Sequence, residues 1–220
     1  MRTILTGDQY RELDRKLVEI KRQLLQPEGY PFDPEKLNAF LQRAIEGRWG
    51  DTPRWIEKDG IIYFTLISNG KTGEEWITYL EAKGVSVSNE AKSVLRYVSF
   101  KPTKAGTPYY IAVIKGGSFP DDGRTTNDVR AYASRLKMIN LPADVVCLIR
   151  DNFTDEEIKQ MGLSWIITMH QPISDCDGYL SVLGVFRSAR EKLDTCSGDS
   201  DVRWDCSDGF AFATEKAFVA

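Results

Sequence analysis

The spacing of apolar residues changes period along this chain, and that change limits the fold more than any other feature. Residues 8–25 place Tyr10, Leu13, Leu17, Ile20 and Leu24 three or four apart with charges between them, the stripe of an amphipathic helix. Asp33 as N-cap with Pro34 at the first helical position predicts a second helix, with Leu37, Phe40, Leu41 and Ala44 on one face. Two helices joined by the Pro/Gly segment 27–32 bury too little surface alone, so the pair is expected either to pack on the main domain or, the reading favoured here, to mediate oligomerisation. From Trp55 the period shortens: Arg54–Glu57 and the β-branched, aromatic run Ile61–Ile67 flank Asp59-Gly60, the signature of a hairpin.

Beyond the hairpin the two periods alternate in blocks. Helices are predicted over 73–83 with Gly84 as the stop, from Ser88 to about Leu95, from Thr125 or Thr126 to about Lys137, and over Ala143–Arg150. A further short helix follows Thr154, with Glu157 in capping-box position. Strands are predicted at Tyr109–Ile114, Trp165–Met169, Tyr179–Val182, Lys192–Thr195 and Gly209–Thr214. This segregation predicts an α+β domain with a small, mostly antiparallel sheet and flanking helices, preceded by an N-terminal helical segment. The expected organisation is a helical segment at 1–50, a connecting α/β segment at 51–95 and the main domain at 96–220.

Charge and motifs exclude several functions. Twenty-nine Lys and Arg against 32 Asp and Glu leave a net charge of -3, without the basic stripe that nucleic-acid binding uses to neutralise phosphates. The longest apolar runs, Ile61–Ile67 and Val145–Ile149, are far below the roughly 18 residues that span a bilayer, so no membrane insertion is expected. The start of the chain turns polar before a signal-peptide core could form, which predicts synthesis in a cytoplasm. No P-loop, dinucleotide fingerprint, nucleophile elbow or zinc-protease motif occurs. The single histidine, His170, follows Thr168-Met169 in a predicted buried strand and reads as structural. Cys147, Cys176, Cys196 and Cys206 form no C-x-x-C and no Cys/His cluster, so neither a metal nor a cofactor is expected. Cys147, within an apolar run, reads as a buried small hydrophobe.

The last fifth of the chain follows neither period. Leu183, Gly184, Val185 and Phe186 precede a stretch rich in Asp, Ser, Cys and Gly, and Leu193, Trp204, Phe210 and Phe212 are its sparse hydrophobes. A rigid scaffold with exchangeable loop residues gives such a mixture. The runs Asp-Cys-Asp-Gly-Tyr-Leu-Ser-Val at 175–182, Arg-Trp at 203–204 and Asp-Gly-Phe-Ala-Phe-Ala at 208–213 resemble the C-terminal ends of variable proteins of diversity-generating retroelements, most of all those of archaeal viruses and uncharacterised prokaryotes. That resemblance implies a C-type-lectin fold over about 96–220 with a variable region at about 180–208, whose asparagine codons are mutagenised at adenines. Gly116-Gly117-Ser118-Phe119 and Leu141-Pro142 are similar to elements of the same wider fold group.

The resemblance also implies which residues are exchangeable. Leu183, Val185, Val202 and Asp205 stand where the family pattern tends to have asparagine. These four, with Gly184, Phe186, Ser188, Asp194, Cys196, Ser197, Asp199, Ser200, Cys206 and Ser207, are all reachable from AAC or AAT by changing adenines. Trp204, Glu191 and Lys192 are not, and Leu193, Trp204, Gly209 and Phe210 are expected to be scaffold anchors. The implied function is non-enzymatic binding of an unknown protein or cell-surface ligand, displayed on a virion or cell. Leu183, Val185 and Phe186 would supply an apolar centre, and Arg187, Asp194 and Asp199 a polar rim. Two rivals share the fold group: a formylglycine-generating type of enzyme, which needs a suitably placed cysteine pair, and a calcium-dependent carbohydrate binder using aspartates such as Asp175, Asp177, Asp199 and Asp201.

Overall fold

The computed structural model describes residues 7–24, 41, 54–97, 100–175, 177–187 and 192–215. Two compact units are present, Met1–Arg54 and Trp55–Ala220. In the first, α1 (Gly7–Leu24) forms where the amphipathic stripe predicts it. Arg22 pairs with Glu19 at 2.7 Å and Arg15 with Glu12 at 3.2 Å along its surface. Tyr10, Leu17 and Val18 are exposed on it. The helix expected from Asp33 lies outside the described residues, as do Cys176 and Ser188.

The second unit is mixed α and β. Its strands are β1 (Ile56–Lys58), β2 (Ile61–Ile67), β3 (Ser86–Val87), β4 (Pro108–Lys115), β5 (Trp165–Thr168), β6 (Ile173–Ser174), β7 (Leu180–Phe186), β8 (Lys192–Ser197) and β9 (Asp208–Ala213). Its helices are α2 (Gly73–Ala82), α3 (Asn89–Arg96), α4 (Thr126–Arg135), α5 (Val145–Asn152) and α6 (Asp155–Gln160). All nine strands join one sheet in the order β1-β2-β4-β9-β5-β7-β8-β3, with β6 pairing the end of β7. The expected small sheet is therefore corrected to a large open one, and β1, β2 and β3 from the 51–95 segment are part of it. Most pairs are antiparallel; β5 with β9 and β3 with β8 are parallel.

Local chemistry explains the element boundaries. Asp59 and Gly60 both take positive φ (53° and 74°) in the two-residue turn joining β1 to β2, which matches the twist of the strands it connects. Thr72 with Glu75, Thr125 with Asp128 and Thr154 with Glu157 form reciprocal capping boxes at the starts of α2, α4 and α6. Ser88 caps α3 by accepting from the Ala91 N–H at 3.1 Å.

Both faces of the sheet are covered, by different partners. On one face Ile62, Phe64, Ile111, Val113, Ile166, Leu183, Val185 and Leu193 pack under Trp76, Ile77 and Leu80 of α2, Val94 and Leu95 of α3, and Val145–Ile149 of α5. Cys147 is fully buried there, and loss of water pushes its thiol far up. On the other face Ile114, Ile167, Met169, Val182, Phe210 and Phe212 pack under Phe119, Met138, and Val129 and Ala133 of α4. Trp165, Cys196 and Trp204 sit half-buried at the margin of this second cluster.

Candidate functional site

The exchangeable positions expected from sequence fall on β7, on β8 and on the connection between β8 and β9. Side chains alternate between the faces of a strand, so the pleat sorts them. Register pairs Val182 with Cys196, Gly184 with Asp194 and Phe186 with Lys192 on the α4 side of the sheet. The intervening residues Leu183 and Val185, opposite Thr195 and Leu193, point to the other side.

Leu183 and Val185 consequently lie in the core with no exposure, and the expected apolar centre on the surface is corrected. The physical reason is that β7 is an inner strand, between β5 and β8, covered on both faces. Such a strand reads as an unbroken apolar run instead of an alternation. Gly184 is also buried, because the Trp165 ring lies over it: a Cβ there would come within 3.1 Å of Trp165 Cε3. Only Phe186 of the trio reaches the surface, half-buried and tilted against Trp165 with ring centroids 4.5 Å apart.

The β8–β9 connection behaves differently. Because β8 and β9 run in the same direction, residues 198–207 travel back along the sheet past the start of α4. Their main chain is fixed at many points. Gly198 N–H donates to the Leu180 carbonyl at 2.7 Å, Asn127 N–H to Ser200 at 2.9 Å, Thr126 N–H to Val202 at 3.1 Å, Trp204 N–H to Arg124 at 3.0 Å, and Ser164 N–H to Ser207 at 2.9 Å. The buried Arg124 side chain gathers the carbonyls of Gly116 (2.9 Å), Phe119 (3.2 Å) and Trp204 (3.2 Å). Trp204 adds an indole N–H bond to Thr126 Oγ1 at 3.1 Å and an edge contact to Phe210 at 5.7 Å. Gly116 sits so close to the loop that a Cβ would meet the Asp205 carbonyl at 2.4 Å.

Side chains of this connection face outward. Ser197, Asp199, Ser200, Asp201, Arg203, Asp205 and Cys206 are exposed, and Val202 and Ser207 are half-buried. Asp205 accepts from the Ser207 N–H and hydroxyl, both at 2.9 Å, which lowers its pKa. Asp208 closes that turn from below by accepting the Asp205 N–H at 2.8 Å; burial raises its pKa, and it is not part of the exposed set. Asp194 is half-buried on β8: burial pushes its carboxyl up, but Lys192, Ser88 and the Thr195 N–H outweigh this and hold it below the usual range. Burial pushes the Cys196 thiol up to about 12, which leaves it protonated and a poor nucleophile at neutral pH. Leu193, Phe210 and Gly209 are buried, the last so closely that a Cβ would come within 2.7 Å of Leu163 and Val113.

The only histidine has both ring nitrogens engaged. The Leu183 N–H donates to Nε2 at 2.9 Å, so Nε2 carries no proton, and Nδ1 faces the Gln171 carbonyl at 2.6 Å. His170 thus completes the hydrogen bonding of β7 where β5 ends and β6 has yet to begin. Burial lowers its pKa from 6.5 to about 4. Among the described residues no group of three His, Cys, Asp or Glu side chains is placed to hold a metal ion, and no helix is long and apolar enough to cross a membrane.

Sequence reasoning missed three contributors: Arg124, Trp165 and Tyr179. Arg124 has Gly116, Phe119 and Asp121 as partners within eight residues, but the carbonyl it anchors in the connection, that of Trp204, is 80 residues away and leaves no local signal. Trp165 opens an apolar strand and reads as core, and Tyr179 reads as the first residue of a strand; the tertiary structure places the first beside Phe186 and leaves the second just before β7, 72% exposed. Comparison of the chain with protein-family models, with curated proteins and with solved structures finds no match.

Proposed function

We propose that this chain is a non-enzymatic binding protein whose recognition surface is a diversified segment of the retroelement variable-protein kind, carried on a C-type-lectin-like domain. One observation supports the reading most: residues 197–207 are tied down through main-chain groups and a few anchors, while the exchangeable side chains among them point away from the domain. A backbone held in this way tolerates replacement of its side chains, because its bonds to the rest of the domain use its main-chain groups, and the exchangeable side chains that bond main chain (Ser197 to the Asp199 N–H, Asp205 to the Ser207 N–H) do so only within the connection. The exchangeable surface is accordingly Phe186, Asp194, Cys196, Ser197, Asp199, Ser200, Val202, Asp205, Cys206 and Ser207, with Leu183, Gly184 and Val185 withdrawn from it.

The partner in this reading is a protein or cell-surface ligand met outside the producing cell, on a virion or a cell envelope. Self-association through the N-terminal helices would multiply weak contacts into useful avidity.

The rivals have less support. A thiol held at about 12 does not make the reactive cysteine that a formylglycine-type chemistry needs. The aspartates that a calcium shell would draw on do not gather: among the described residues no group of three His, Cys, Asp or Glu side chains is placed to hold a metal ion.

Sequencing the coding region across a natural population tests the proposal. Substitutions should concentrate at first and second codon positions of the ten exchangeable residues, spare Leu193, Trp204 and Phe210, and be matched by an adenine-rich near-copy beside a reverse-transcriptase gene. A segment no more variable than the codons of β2, with no such copy, would refute it.

A further inference from the structure

A pocket of about 250 Å³ opens at the end of the β7–β8 pair, between the turn that precedes β7 and the start of the β8–β9 connection. Its lining includes Asp175, Tyr179, Ser181, Thr195, Ser197 and Asp199. Register explains why the hydroxyls gather: Ser181 pairs with Ser197, and Thr195 opposes Leu183, so all three project from the same face beyond the end of the helical cover. Ser181 Oγ donates to Asp175 Oδ2 at 2.9 Å and Ser197 Oγ accepts from the Asp199 N–H at 3.3 Å. The Ser181 hydroxyl has thus spent its proton, and what it presents to the pocket is lone pairs.

Charge points the same way. Burial raises the Asp175 carboxyl, but Ser181 and the N–H groups of Tyr179, Asp177 and Gly178 outweigh this, so it stays ionised. Asp199 is exposed and has no ion-pair partner among the described residues. Among the described residues no Lys or Arg lines the pocket, and the Tyr179 ring stands 72% exposed at its edge. An anion meets two negative charges here and no cation among the described residues, a neutral sugar leaves those charges uncompensated, and two carboxylates are too few for a metal shell. An ammonium or guanidinium group meets carboxylate, hydroxyl acceptors and an aromatic face together.

We infer that this pocket takes a lysine or arginine side chain projecting from the partner's surface. The inference rests on the proposed function and adds the partner's chemistry. It also divides the pocket in two: Asp175, Tyr179, Ser181 and Thr195 form a wall outside the exchangeable set, and Ser197 and Asp199 form a wall within it. Sibling chains with other residues at 197 and 199 would keep the aromatic wall and change the preferred occupant.

The test is an amide-resolved NMR titration of the full chain with Nα-acetyl-arginine methylamide and its lysine counterpart, against the neutral citrulline analogue and N-acetylglucosamine. Saturable shifts at Tyr179, Ser181, Ser197 and Asp199 are expected with both cations. The citrulline analogue should bind on the order of tenfold more weakly, as should the arginine probe to Asp199→Asn, which is isosteric and surface-located. Equal responses to arginine and citrulline, saturation by the sugar, no saturation with any probe, or full arginine binding by Asp199→Asn would each overturn the inference. These outcomes do not depend on whether the codons vary, so this pocket and the proposed diversification can fail separately.

Discussion

Under the proposed diversification a template would carry asparagine at exchangeable positions, so replacing each candidate by Asn asks directly whether the scaffold ignores it. At Leu183 the structure requires a large penalty. The side chain has no exposure and packs in the core beneath the helices. Removing a buried Leu costs about 2–5 kcal/mol. The amide that replaces it finds no free partner among apolar neighbours, which adds about 1–3 kcal/mol. A net loss of about 4 kcal/mol is therefore expected for Leu183→Asn, allowing for partial relaxation. Gly184→Asn should cost about 1–3 kcal/mol, because the new Cβ meets Trp165 Cε3 at 3.1 Å. By contrast Asp199→Asn, Ser200→Asn and Cys206→Asn alter exposed side chains and should stay within about 0.5 kcal/mol. With a urea slope of about 2 kcal/mol per molar, the unfolding midpoint should fall by about 2 M for Leu183→Asn and by less than about 0.3 M for the exposed three. Equilibrium urea unfolding followed by tryptophan fluorescence reads both. If Leu183→Asn unfolds within 0.5 M (roughly 1 kcal/mol on the same slope) of the parent, the assignment of Leu183 to the core is wrong.

Two further predictions follow from the groups that hold the surface in place. His170 carries a folded pKa depressed from 6.5 to about 4, so the unfolded chain takes up the proton first: stability is complete above pH 6.5 and is lost as pH falls towards 4. That loss amounts to about 3 kcal/mol. Asp144 and Asp208, whose pKa values are raised, act in the opposite sense, so the difference from His170→Gln is the informative quantity. The Gln variant should be less stable than the parent at pH 7.5 and should lose about 3 kcal/mol less between pH 7.5 and 4 in denaturant titrations; parallel pH profiles would refute the histidine's role. Arg124→Met removes a buried cation from three carbonyls and should cost about 3 kcal/mol. Amide exchange in that variant should accelerate most at Thr126, Asn127 and Trp204, whose N–H groups tie the β8–β9 connection and the start of α4 together, and uniform acceleration across the sheet would contradict the anchoring role.

Local chemistry, read from the sequence alone, determined most of the elements of this protein. The Asp59-Gly60 turn, the capping residues Ser88, Thr125 and Thr154, and the amphipathic stripe of α1 each depend on neighbours within a few residues, and each stands where the spacing places it. The structural reading of His170 was legible for the same reason, since it follows a buried strand directly. The size of the sheet was not, because the pairing of β2 with β4 (Ile61 opposite Ile114, Ile67 opposite Pro108) and of β4 with β9 joins segments too far apart along the chain to leave a local mark. Nor was the fate of Leu183, Val185 and Phe186. Whether alternate residues of β7 meet helices or solvent depends on which strands flank it and which face α2, α3 and α5 cover, and only the assembled fold decides those. The irregular C-terminal composition pointed to a tolerant segment, but the division between side chains the core needs and side chains it leaves free was made by the pleat and the layers packed against it.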